Sequence, residues 1–119
     1  MKIAGLGFRS MATPSSLRAA LGDTAGLTAL ATPEDKAGAA ALLDFAAEVN
    51  LPIRAIPLAD LAGQPTETLS PAQPLRYGAG SVAEASALAA CGPGAKLILP
   101  RRVSDDGMAT AAIAEGLGQ

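Results

Sequence analysis

Four short runs of β-favouring residues, 2–6, 27–31, 53–56 and 96–99, alternate along this chain with alanine-rich stretches that carry helical spacing. That alternation is the strongest constraint on the fold, because each helix can bury its apolar stripe only against a sheet face that the strands supply. At 119 residues the chain has room for one such domain and none for a second core. The expected architecture is α/β: a single three-layer α/β/α domain over residues 1–119, with a mostly parallel sheet of about five strands and room for mixed pairing at one edge.

Local signals place the elements. Thr13 before Pro14 marks a helix start, Leu17 and Leu21 share a face, and Gly22 is a stop. Thr32-Pro33 repeats that start, with Glu34 and Asp35 suited to the first turn of a second helix. Leu42, Phe45, Ala46 and Val49 continue it at helical spacing, and Asn50 before Leu51-Pro52 ends it. The brevity of residues 53–56 and the prolines nearby suit an edge strand. Residues 62–77, rich in Pro, Gly, Gln, Thr and Ser, read as a long loop within the domain. Ser81 and Glu84 have the spacing of a capping box for a helix reaching about Ala90, with Gly92-Pro93 after it. Residues 108–114 read as a fifth strand, although their alanines suit a helix equally.

Composition removes several chemistries. There is no histidine, which excludes an imidazole base, a Ser-His-Asp triad, a Cys-His pair and the commonest zinc ligand. The serines at 15, 16, 81 and 104 therefore read as caps or surface residues. Cys91 is the single cysteine, so no internal disulfide forms and no multi-thiolate metal site exists; its default role is a small buried hydrophobe. No metal and no cofactor are expected. A net charge of −2, with one Tyr, two Phe and no Trp, offers neither bulk attraction nor stacking platforms for nucleic acid. The start lacks the pattern of a secretory signal and no run approaches the ~20 apolar residues of a membrane span, so a cytoplasmic protein with no membrane partner is expected.

In parallel α/β sheets, ligands sit beyond the carboxyl ends of the strands. The polar residues expected there are Arg9, Ser10 and Thr13 after the first strand, Thr32 and Lys36 after the second, and Arg101 and Arg102 after the fourth, with the helix start at Gly78, Gly80 and Ser81 on the same rim. Cations combined with free helix N-termini suit an anionic ligand, and each arginine presents a planar fork for carboxylate or phosphate. The plainer reading is that each cation is a solvated loop residue. Gly5-Leu6-Gly7 invites comparison with a dinucleotide fingerprint, but Ser10 stands at the third glycine position and no acid ends the second strand. Close packing of a helix on the strand explains those glycines equally well. Asp105-Asp106-Gly107 reads as a solvated turn before it reads as a cation site. Tyr77 is a weaker candidate for stacking on a flat ligand.

Taken in order, Gly5-Leu6-Gly7-Phe8-Arg9-Ser10, Leu30-Ala31-Thr32 with Lys36, Gly80-Ser81-Val82-Ala83-Glu84-Ala85, and Leu99-Pro100-Arg101 followed by Ala109-Thr110-Ala111-Ala112-Ile113-Ala114 resemble the blocks of the CobE and CbiG C-terminal family of cobalamin biosynthesis. The resemblance spans nearly the whole chain. Two departures stand out: Phe8-Arg9-Ser10 replaces a segment that often carries Cys and paired basic residues, and Arg101 replaces a frequent Lys. The second swap keeps the charge, whereas the first leaves no thiol at that place.

The resemblance implies a part in building the corrin ring, in the stand-alone CobE-like form associated with the oxygen-dependent route. The CbiG relatives carry this domain behind another region and are associated with lactone opening and release of acetaldehyde. The ligand it implies is a precorrin-type tetrapyrrole, a flat macrocycle fringed with carboxylates. Gly5, Gly7, Arg9, Ser10, Thr13, Thr32, Lys36, Gly80, Ser81, Arg101 and Arg102 are the candidate contacts. Three functions follow as expectations: a binding protein for such an intermediate, an enzyme with Glu84 or Lys36 as acid or base, and an interaction module that meets pathway enzymes such as precorrin methyltransferases through residues 64–74.

Overall fold

A computed structural model describes residues 1–61 and 81–116. The loop expected over 62–77, with Tyr77, Gly78 and Gly80, lies outside the described residues. The elements run β1 (Lys2–Phe8), α1 (Pro14–Leu21), β2 (Ala29–Pro33), α2 (Ala40–Val49), β3 (Ile53–Ile56), α3 (Leu58–Leu61), α4 (Val82–Cys91), β4 (Lys96–Val103) and β5 (Ala109–Glu115). The strands form one sheet in the order β3-β2-β1-β5-β4.

β1, β2 and β3 are parallel, while β5 is antiparallel to both β1 and β4. The sheet is therefore mixed as well as largely parallel, and its one reversed strand lies inside the sheet instead of at its rim. The reason is local. The turn joining β4 to β5 is too short for a crossover, so these two strands must pair as a hairpin. β5 then uses its second edge to pair with β1 from Lys2↔Glu115 to Phe8↔Ala109. Pairing on both edges also settles why 109–115, alanine-rich as it is, becomes strand: tertiary partners override its helical preference.

Strand alternation divides the core in two. Ala4, Leu6, Leu30, Ala111 and Ile113 face Leu17, Leu21, Leu42 and Phe45 of α1 and α2. Ile3, Ala29, Ala31 and Ala114 face Val82, Ala85, Leu88 and Cys91 of α4, with Leu61 of α3 beside them. The result is the expected α/β/α sandwich. Gly5 lies on the second face. A Cβ there would stand 1.9 Å from the Ala83 carbonyl oxygen and 2.6 Å from the Ala87 nitrogen, so the missing side chain is what lets α4 lie against the β1 backbone.

The helix ends follow the sequence with two corrections. α1 begins at Thr13 in a full capping box closed by Ser16, and α2 ends at Asn50 in the left-handed conformation, φ 58°. Thr32, however, caps no helix. It lies in β2, fully buried, and its hydroxyl donates to the Leu6 carbonyl at 2.9 Å. Residues 34–38 form tight turns, including Lys36 N to the Pro33 carbonyl at 2.9 Å, and α2 starts only at Ala40. Pro33 continues the ladder opposite Ile56, which holds Thr32 extended as a residue before proline prefers. The second correction is at Ser81. It accepts from the Glu84 amide at 3.3 Å, but the Glu84 carboxylate turns to β4, so the box is only half made. On the surface, Arg18 of α1 and Glu48 of α2 form a two-pronged ion pair at 2.7 and 2.5 Å, a contact no local pattern announces.

Candidate functional site at the carboxyl edge of the sheet

Because β4 and β1 are each antiparallel to β5, β4 runs in the same sense as β1, β2 and β3. The carboxyl ends of four strands thus share one edge. α1 begins there on one face. α4 begins there on the other, since Val82 lies by Gly7 near the end of β1 while Cys91 lies by Gly116 beyond the end of β5.

The β1–α1 connection is pinned at both ends of its turn. Arg9 N donates to the Met108 carbonyl at 2.8 Å and Ala12 N to the Arg9 carbonyl at 3.0 Å. This leaves Arg9 and Ser10 exposed and pushes Met11 out to 77% exposure, a residue that sequence reasoning passed over. Nothing in the local pattern marks it. Lys36 ties this connection to the next one: its ammonium donates to the Phe8 carbonyl at 3.2 Å and lies 5.3 Å from the centre of the Phe8 ring. Glu34 and Asp35 are exposed on the same turn, so this rim carries acids as well as cations.

Arg101 and Arg102, adjacent in sequence, part company. The Arg102 guanidinium donates to the Leu21 carbonyl at the end of α1, where a cation also complements the helix dipole. Gly22 there, at φ 74°, closes the helix. The Arg101 side chain makes no hydrogen bond or ion pair with any described residue. Its backbone amide donates to Glu84 Oε2 at 2.8 Å.

Thr13 serves as the α1 cap, and Gly7 packs beside Thr110, whose hydroxyl donates to the Gly7 carbonyl at 3.3 Å. Glu84 is fully buried. Of the sequence candidates, Arg9, Ser10 and Lys36 lie in the connections that follow β1 and β2 at the carboxyl edge, while Arg101 and Arg102, expected beyond the fourth strand, lie within β4 near its carboxyl end because the strand runs on to Val103. Gly5, Thr32 and Arg102 are committed to packing, strand pairing and helix capping.

A cluster that the sequence did not join lies nearby. Asp106, in the β4–β5 turn, accepts from Ser104 and from Ser16, both at 2.6 Å, and from the Met108 amide at 3.0 Å. The Ser104 bond first, then that of Ser16, holds its carboxyl below the usual range. The turn is there as expected, but its second acid is a strut to the start of α1. Cys91 is buried, its thiol pushed up chiefly by desolvation, consistent with a packing role. Among the described residues no group of three His, Cys, Asp or Glu side chains is placed to hold a metal ion, and no helix is long and apolar enough to cross a membrane.

Fold and edge together define an α/β/α sandwich with the carboxyl ends of four strands and the starts of two helices on one side, the edge where ligands of open α/β sheets sit. Within that class the chain belongs to the family described as cobalamin synthesis G C-terminus, whose profile matches residues 2–114. The crystal structure of CobE, a protein from the cobalamin (vitamin B12) biosynthetic pathway, superimposes with a TM-score of 0.84 at 31% identity, covering 98% of this chain and 91% of that one. Cobalamin biosynthesis protein chiG from Agrobacterium tumefaciens gives 0.73 at 31% identity over 98% and 99%. A cobalamin biosynthesis protein G homologue from Sulfolobus solfataricus shares the fold, with a TM-score of 0.66 at 21% identity, over 95% of this chain and 36% of that one. No curated protein matches the sequence at a significant level. The protein is thus a cobalamin biosynthesis protein of the CobE and CbiG family.

Proposed function

We propose that this protein binds a precorrin-type tetrapyrrole at the carboxyl edge of its sheet and passes it between enzymes of the pathway. The observation that carries this reading is the pair of guanidinium groups at that edge, Arg9 exposed on its pinned turn and Arg101 with no partner among the described residues. Precorrins are flat rings fringed with acetates and propionates, and planar guanidinium forks match such carboxylates. Met11 adds an exposed apolar contact beside Arg9. Membership of a cobalamin-synthesis family supports a tetrapyrrole as the class of ligand.

The alternative, an enzyme of corrin processing with Glu84 or Lys36 as acid or base, has less support. Glu84 is buried and bonded to a backbone amide, and the Lys36 ammonium is held by Phe8. Titration of the purified protein with precorrin intermediates, followed by visible absorption, is expected to give a saturable spectral change at micromolar protein. Replacing Arg9 with Ala should weaken it about tenfold, the worth of one charged hydrogen bond. A spectrum unchanged by wild-type protein across the intermediates would end this reading.

A further inference from the structure

Arg101 and Arg102 are chemically identical neighbours, yet one is spent on α1 and the other is left at the edge. The cause lies in β4. Leu99 pairs with Ile113 and Arg102 with Ala111, so Pro100 and Arg101 together stand opposite Ala112 in a bulge. Pro100 has no amide hydrogen to give. The Arg101 amide donates instead to Glu84 Oε2, and Glu84 reaches it from the first turn of α4, on the face opposite α1. A bulge turns both of its residues toward the side of the residue they oppose, here the face of Ala112, while Arg102 resumes the alternation toward α1.

We propose that Glu84 is a positioning residue: by taking the Arg101 amide into its carboxylate, it fixes the bulge and so keeps the Arg101 guanidinium at the binding edge while Arg102 caps α1. The binding part of this inference rests on the reading of the edge as an anion site. The bulge itself does not. In this division of labour a buried acid, attractive as a catalyst by its residue type, acts through a backbone amide.

The test has two arms on the full chain. In the first, amide hydrogen exchange at Arg101 is compared in wild type, Glu84→Gln and Glu84→Leu. The carboxamide oxygen of Gln still accepts the bond and Leu does not, so exchange should quicken at least about tenfold in Glu84→Leu and much less in Glu84→Gln. In the second, affinity for uroporphyrin, a flat porphyrin with a fringe of carboxylates, is measured by its fluorescence.

Arg101→Ala should weaken binding about tenfold, and Glu84→Leu by a similar factor, with no further loss when the two are combined. Arg102→Ala should leave affinity within about twofold while lowering the melting temperature, as loss of a helix-end contact does. Rescue of affinity by Glu84→Gln separates positioning from any role for the acid's proton. If Glu84→Leu fails to fold, the wild type and Glu84→Gln decide the matter: an Arg101 amide unprotected in wild type overturns the proposal. So do equal affinity losses in Arg101→Ala and Arg102→Ala. Should wild type ignore uroporphyrin while the exchange arm behaves as expected, the anion-site reading falls and the Glu84 bulge clamp is upheld.

Discussion

Asp106 joins parts of the chain 90 residues apart, since one oxygen accepts from Ser16 at the start of α1 and the other from Ser104 and the Met108 amide in its own turn. All three bonds favour the ionised carboxylate and hold its pKa below the ordinary value. A carboxyl whose folded pKa lies below its unfolded one stabilises the fold at pH above the unfolded value, and the contribution drains away as pH falls through the folded value. The difference in urea midpoint between wild type and Asp106→Asn should therefore be level near neutrality and shrink below about pH 4, where an unfolded Asp protonates. A difference that stays constant into acid would show that Asp106 contributes by shape alone. Sequence gave the turn through Asp105-Asp106-Gly107 but not the strut, because the partner serine is remote in the chain. Ser16 itself closes the capping box with Thr13, a variant without the usual Glu or Gln at the third position.

Among the elements, α4 is the one set by what is absent from its neighbour. It crosses β1 where Gly5 leaves the backbone bare, with the Ala83 carbonyl and the Ala87 amide in the space a side chain would need. Helix backbone cannot yield as a flexible side chain can, so Gly5→Ala must lift α4 from the sheet. The expected cost is about 3 kcal/mol or more, the upper range of overpacking. Gly38→Ala is the matched control: nothing lies within 4 Å of its added carbon, and its stability should change by less than about 0.5 kcal/mol. Chemical denaturation of both variants checks the pair, and similar stabilities would mean that α4 can settle elsewhere. The start of α2 illustrates the opposite limit. Thr32-Pro33 has the look of a helix start, yet parallel pairing with β3 carries the strand through Pro33, and the helix waits for Ala40 without a capping side chain.

For the molecule as a whole, the governing feature is the place of β5. It is the last strand in sequence and pairs with the first, so the sheet's centre closes only when both ends of the chain are present. β1 and β5 are each bonded on two sides, while β3 is a four-residue edge strand. Native-state hydrogen exchange should accordingly find the slowest amides in β1 and β5, exchanging only through global unfolding, with β3 opening at lower free energy. Equal protection of β3 and β5 would contradict this ranking. Short-range signals in the sequence determined the α/β class, the bounds of α1, the end of α2 and the edge character of β3, because caps, prolines and two-residue or helical periodicity act over a few neighbours. The family followed from ordered blocks along the chain. Only tertiary structure decided that the fifth strand, legible over 108–114, lies buried between two others, that Thr32 pairs instead of capping, and that Arg101 and Arg102 serve different ends. Each of those outcomes depends on groups tens of residues away, brought within hydrogen-bonding distance by the sheet, and no local pattern carries that distance.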